Sequence, residues 1–481
     1  MDQRQRVSKA CDACKVRKVK CNGQQPCTQC SHLALRCIYA PKAIAPRKQG
    51  RRGGVISKYK ETTSGSWSSS DASPVSPANH DRYDCAFFVD LIPDFMTAVY
   101  PVQPVMTEQE IHDSIQAMDN DQEAKSFALA FGGCTLNLTR TGVRRTPEVN
   151  QTIAFLASES IKARGPVMPN FQSSVRQALT SLFLHNCFMT MRDKDTAFFY
   201  MRDAISLIQL LRIDQMNSED PPLSPPERSR RQRLYWEGFI HERFLAILDY
   251  RSVVLPPLQD LPEDDPTIPL SIQEGFNQII KLFQLLDTEF LQNWLGNQSN
   301  LTPAWIERKD RELVGDSEGV PEGYALLTPM QRADLIVTKH WLRTLVWRLA
   351  MSNTLLSSQS SKECLSLLFP VRLSNQLRSE VPRISREDIE IHGSGIVQKL
   401  FEITDTIADV VIAIPAATVE ETTRRVDDFD FLLRFVFTFS NLDHTRRRIL
   451  EEKHEKIQQM LDRVKSPAPS IASPAGSDNP W

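Results

Sequence analysis

The sequence predicts a small N-terminal module held together by bound metal, a polar linker, and then a large all-α domain. Three observations carry this expectation. Six of the ten cysteines fall within residues 11–37. Residues 1–60 hold fifteen Lys or Arg against two acids, whereas the rest of the chain holds forty-two against fifty-seven. From about residue 84 onward apolar residues recur three and four positions apart, with almost no strand-like alternation.

The cysteines come first. They read C-x2-C-x6-C twice, with Cys11, Cys14 and Cys21 in one half and Cys27, Cys30 and Cys37 in the other. A repeated spacing predicts two similar half-sites. MDQRQRVSKA has no apolar run behind it, so no secretory leader and a reducing compartment are expected. Clustered thiols there point to metal rather than disulfides. Each C-x2-C places two thiolates at the start of a helical turn, giving a module of two short helices. Three sulfurs per half leave a tetrahedral zinc one ligand short. Two Zn2+ ions are fully ligated if Cys11 and Cys27 each bridge both. So short a segment has almost no core of its own, so zinc is expected to fold it.

Between Cys14 and Cys21 lies KVRKVK, which supplies Lys15, Arg17, Lys18 and Lys20. The equivalent SHLALR of the second half is mostly neutral. One half is therefore expected to meet double-stranded DNA, and the other to complete the module. Lys or Arg against guanine O6 and N7 is the commonest specific major-groove contact. Lys15 and Lys20 are better placed for phosphates, which fix register.

With Asp12, Pro26 and the basic pair Arg17-Lys18, residues 11–37 resemble the zinc binuclear cluster domain of fungal transcription regulators, the six-cysteine family of the galactose activator. The resemblance implies a first helix that enters the major groove and reads a CGG triplet, mainly through Arg17 and Lys18. It also implies a nuclear protein that works with the transcription machinery or co-regulators and controls a pathway gene set, such as carbon use or secondary metabolism. An interaction scaffold or repressor with little activating role is the alternative.

The module is expected to span 7–40, followed by an arm and linker over 41–82. Arg47, Lys48, Arg51 and Arg52 lie among prolines and glycines, which suits a basic arm along the phosphate backbone or in a minor groove. Residues 61–82 are Ser/Pro-rich and disordered in composition. Family members often carry a short dimerising coiled coil here, but residues 38–82 contain no leucine. A monomeric reader and a homodimer paired through the large domain therefore both stand.

The large all-α regulatory domain is expected over 83–465, in two lobes joined near the proline-rich stretch 255–270, with a disordered tail at 466–481. Later helices are placed at 230–250, 271–295, 328–357, 386–414, 425–440 and 443–465. Residues 180–255 are similar to the middle homology region of the same regulators, on Arg230, Arg231, Tyr235, Trp236, Glu242 and Arg243. A buried Arg–Glu network is the expected role of these residues. YDCAFFVDLIPDF and VDDFDFLLRFVF mix acids with bulky apolars as activation segments do, though ordinary core helices are the favoured reading. The four scattered cysteines are expected in the core. The helix at 443–465 has its heptad broken by Lys453 and is a weak dimerisation candidate. No HExxH, P-loop or G-x-G-x-x-G is present, so no enzyme is expected, and no stretch of about 20 apolar residues exists to span a bilayer.

Overall fold

Helix starts follow capping chemistry written into the chain. Thr107 accepts from the backbone N–H of Glu110 while the Glu110 carboxylate accepts from that of Thr107, and the same reciprocal box joins Ser174 to Gln177 and Thr328 to Gln331. Proline stands in the first turn after Thr146, Thr302 and Thr328, where its missing N–H has no helical partner to lose. The computed structural model describes residues 21–25, 27–28, 83–218, 223–296, 301–315 and 324–465. It divides into a unit Met1–Ser76 and a large unit Pro77–Trp481.

The described part of the large unit is helical, with one isolated β-bridge between Ser357 and Ser366. The first lobe contains α1 (Cys85–Val89), α2 (Ile92–Ala98), α3 (Glu108–Gln116), α4 (Gln122–Thr139), α5 (Pro147–Arg164), α6 (Val175–Thr190) and α7 (Lys194–Leu210). α4 is buried on nearly every face because α3, α5 and α6 surround it, which explains its almost continuous run of small and apolar residues. A Cβ on Gly132 would press into the Phe88 ring, so α1 packs closely against α4.

Helix α8 (Pro225–Asp249) is shared between the lobes. Its Leu234, Tyr235 and Leu245 enter the first core, while Trp236, Phe239, Ala246 and Ile247 enter the second. The second lobe contains α9 (Leu270–Gln284), α10 (Thr288–Trp294), α11 (Pro303–Val314), α12 (Pro329–Ser352), α13 (Phe369–Glu380), α14 (Arg386–Glu390), α15 (Gly393–Ala413), α16 (Val419–Phe437) and α17 (His444–Lys465). α15 packs against α12, α13, α16 and α17. Two hydrophobic clusters stand where two lobes are expected, within one compact unit, and 255–268 lies between α8 and α9 without helix.

Several boundaries differ from expectation. The helix expected over 271–295 is two, because the Asp287 carboxylate accepts from Phe290 N (2.8 Å) and starts α10 afresh. The helix expected over 386–414 breaks at Gly393, whose φ of 70° is left-handed. That expected over 328–357 ends at Ser352, and Thr354 has φ 55°. α16 begins at Val419 rather than 425, under a Thr418 cap. α11 and α13 lie outside the helices expected from sequence. No described helix is long and apolar enough to cross a membrane.

Candidate functional site

Of the six clustered cysteines, Cys21 and Cys27 fall among the described residues. Cys27 is fully buried, Cys21 is half-buried, and helical Thr28 directly follows Cys27. The turn between the half-sites is closed by Asn22. Its Oδ1 accepts from Thr28 N (3.2 Å), its Nδ2 donates to Gln24 Oε1 (2.9 Å), and Gly23 takes φ 80°. The turn therefore brings Asn22, next to Cys21, against Thr28, next to Cys27. Cys11, Cys14, Cys30 and Cys37 lie outside the described residues, as do Lys15, Arg17, Lys18, Lys20, Arg47, Lys48, Arg51 and Arg52. Six soft thiolates suit zinc, and among the described residues no other group of His, Cys, Asp or Glu could hold a metal ion.

In the large unit the Arg–Glu residues form the expected structural network. Glu242 is buried and accepts the N–H groups of Val254 and Leu255 (2.9 Å each) and Arg202 Nη1 (2.8 Å). Arg243 lies over the Phe239 ring and donates to Leu255 O (2.9 Å). Burial lowers its pKa to about 10, so it stays charged at neutral pH. Tyr235 donates to Pro256 O (2.8 Å), Arg230 pairs with Glu110 and Glu227, and Arg231 with Glu227 (2.7 Å). Tyr235, Glu242 and Arg243 pin the start of the proline-rich segment to α8. Arg233, on the same helix, forms a buried pair with Asp265 (3.0 Å).

The two acid-and-apolar segments are core helices. Phe88, Ile92 and Phe95 fill the first core, and Phe429, Leu432 and Val436 the second. Cys134, Cys187 and Cys364 are buried, and burial raises the Cys187 and Cys364 thiols to about 12. α17 points Leu450, Ile457 and Leu461 into the molecule. Lys453 is no defect in that face, because its Nζ bridges Asp405 (2.6 Å) and Asp409 (2.7 Å).

Sequence inspection missed one constellation. Where the lobes meet, the loop 101–103 and helices α4, α6, α8, α9, α12 and α15 enclose a cavity of about 160 Å3. Three of the dispersed histidines, His185, His241 and His392, line it. Glu237 accepts from Gln103 Nε2 (2.8 Å) and contacts His241 Nε2 at 3.0 Å. Asp334 accepts from Thr338 (2.9 Å) and Lys399 (3.3 Å). Burial would raise Asp334, but Lys399, His392 and the Thr338 hydrogen bond outweigh it and hold the carboxyl below its usual range. Burial, aided by His241, lowers His185 to about 3 and keeps it neutral. No local pattern announces the cavity, because its histidines are far apart in sequence.

Residues 9–45 match the model of the fungal Zn(2)-Cys(6) binuclear cluster domain. The N-terminal segment is thus similar to that fungal zinc-cluster domain. The protein's relatives match most of the chain. It is 24% identical over 478 residues to a probable sucrose utilization protein of Candida albicans, covering 95% of this chain and 88% of the relative. It is 23% identical over 418 residues to a maltose fermentation regulatory protein of Saccharomyces cerevisiae, covering 84% and 85%. A respiratory transcription factor of Saccharomyces cerevisiae is 22% identical over 452 residues, covering 92% of each chain.

Proposed function

We propose that this protein is a nuclear, sequence-specific regulator of carbohydrate-utilisation genes. Two Zn2+ ions, bridged by Cys11 and Cys27 and completed by Cys14, Cys21, Cys30 and Cys37, fold residues 7–40. Arg17 and Lys18 read a CGG-like triplet, Lys15 and Lys20 hold phosphates, and the arm with Arg47, Lys48, Arg51 and Arg52 follows the backbone. Residues 83–465 regulate output and contact co-regulators. The observation that carries the reading is the doubled C-x2-C-x6-C with KVRKVK inside its first half. The relatives' names, which speak of sucrose and maltose, favour carbon use over secondary metabolism.

Zinc removal tests the reading. Chelation is expected to abolish binding of the full chain to a CGG-containing duplex, and added Zn2+ to restore it, because thiolates supply the folding energy of so small a module only through the metal. Undiminished binding in the metal-free protein contradicts it.

A further inference from the structure

The interlobe cavity has the makings of a ligand site that reading DNA does not require. Its space of about 160 Å3 suits a small molecule. Glu237 and His185 sit on helices α8 and α6, Gln103 on the loop 101–103, and all three are buried. Glu237 is 3% exposed, His185 4% and Gln103 6%.

The hydrogen-bonding balance favours donors from outside. Gln103 gives its amide N–H to Glu237 and keeps a buried Oε1 with no partner. His185 Nδ1 lies 2.9 Å from Ala197 O, so the neutral ring carries its proton there and its Nε2 is an acceptor. On Asp334 both hydrogen bonds fall on Oδ1, and Oδ2 has only His392 Nδ1 at 3.9 Å. A buried acceptor without a donor costs stability, and a hydroxyl removes that cost.

The charges argue against an ionic guest. Lys399 Nζ already lies 5.4–5.7 Å from the centroids of Phe244, Phe283 and Trp341 and pairs with Asp334, so the place for a cation is taken. An anion would meet Glu237 and Asp334. Phe276, Ile279 and Leu335 supply an apolar wall for the C–H face of a ring.

We propose that this cavity binds a small, uncharged, hydroxyl-rich molecule of the sugar or polyol class, gripped by both lobes at once. The site stands on its own geometry and does not depend on which DNA sequence the zinc module reads.

Calorimetric titration of the full-length protein with glucose, maltose and sucrose at millimolar concentrations tests this, with glucosamine and gluconate as charged counterparts. Excluded sugars stabilise proteins generally only by a non-saturating effect, so the readout is saturable heat. At least one neutral sugar is expected to saturate, and to bind at least about tenfold more tightly than its charged counterparts, a gap of one mispaired group. Gln103→Leu is expected to weaken binding at least about tenfold, by removing the unpaired acceptor. Leu335→Trp fills the apolar wall without touching a polar pair and is expected to abolish binding. Both variants are compared with the parent by helicity and unliganded melting temperature, and the one that retains the parent values locates the site. No saturable binding by any neutral sugar overturns the proposal. So does binding unchanged in a folded variant, or preference for glucosamine or gluconate. The titration uses no DNA, so its failure is separate from failure of the DNA reading.

Discussion

Neighbouring cations between Cys14 and Cys21 carry different assignments, and substitution separates them. Lys18→Ala is expected to cost about 1–3 kcal/mol of DNA binding and to relax preference at one base pair. Lys15→Ala is expected to weaken binding on every sequence and to flatten the salt dependence, because it releases one phosphate contact. Competition binding across salt concentrations checks both; intact base preference in Lys18→Ala would refute its reading role. In the helical unit, His185 titrates near 3 when folded and near 6.5 when unfolded. Between those values the unfolded chain binds the extra proton, so stability is fully present above pH 6.5 and falls as pH drops toward 3. The slope from this one group reaches about 1.4 kcal/mol per pH unit. Melting curves between pH 7.5 and 5 are expected to decline less steeply in His185→Gln. Some slope should remain, since burial also lowers His392. Identical slopes would contradict the assignment.

Among the elements, α8 and α12 show what sequence could and could not disclose. The three-four periodicity marks both helices, and the Arg–Glu residues of α8 hold the structural network expected of them. The Thr328–Gln331 box starts α12, but the Gln331 amide also donates to Pro101 O (3.2 Å) across the lobes. That second bond requires Gly275, where a Cβ would overlap the Gln331 amide. No local pattern announces a glycine on one helix serving a glutamine on another. Gly275→Ala is expected to destabilise the protein by about 1–3 kcal/mol, as overpacked sites do. In a Gln331→Ala background the same change is expected to be nearly neutral. Urea unfolding of the double-mutant cycle reads the coupling; additive losses would contradict the contact. The missed breaks have similar causes, since Asp287 and Gly393 act through one cap and one left-handed backbone angle inside otherwise periodic runs.

At the scale of the whole molecule, the zinc module was legible because its chemistry is local. Six cysteines and the four cations of KVRKVK fit within twenty-seven residues, and their repeated spacing is what predicts two half-sites. The cavity was illegible because its wall draws on seven segments between Pro101 and Lys399, brought together only when α8 joins two cores. The charge asymmetry, a basic end on an acidic helical body, matches the proposed division of labour. The central claim is that the metal-bound basic end reads sequence. Selection of bound sequences from random duplex DNA by the full chain, with zinc and after chelation, tests it most directly. The account predicts enrichment of CGG triplets, single for a monomer or paired at fixed spacing for a dimer, and only with zinc. No enrichment with zinc, or the same enrichment without it, would contradict the account.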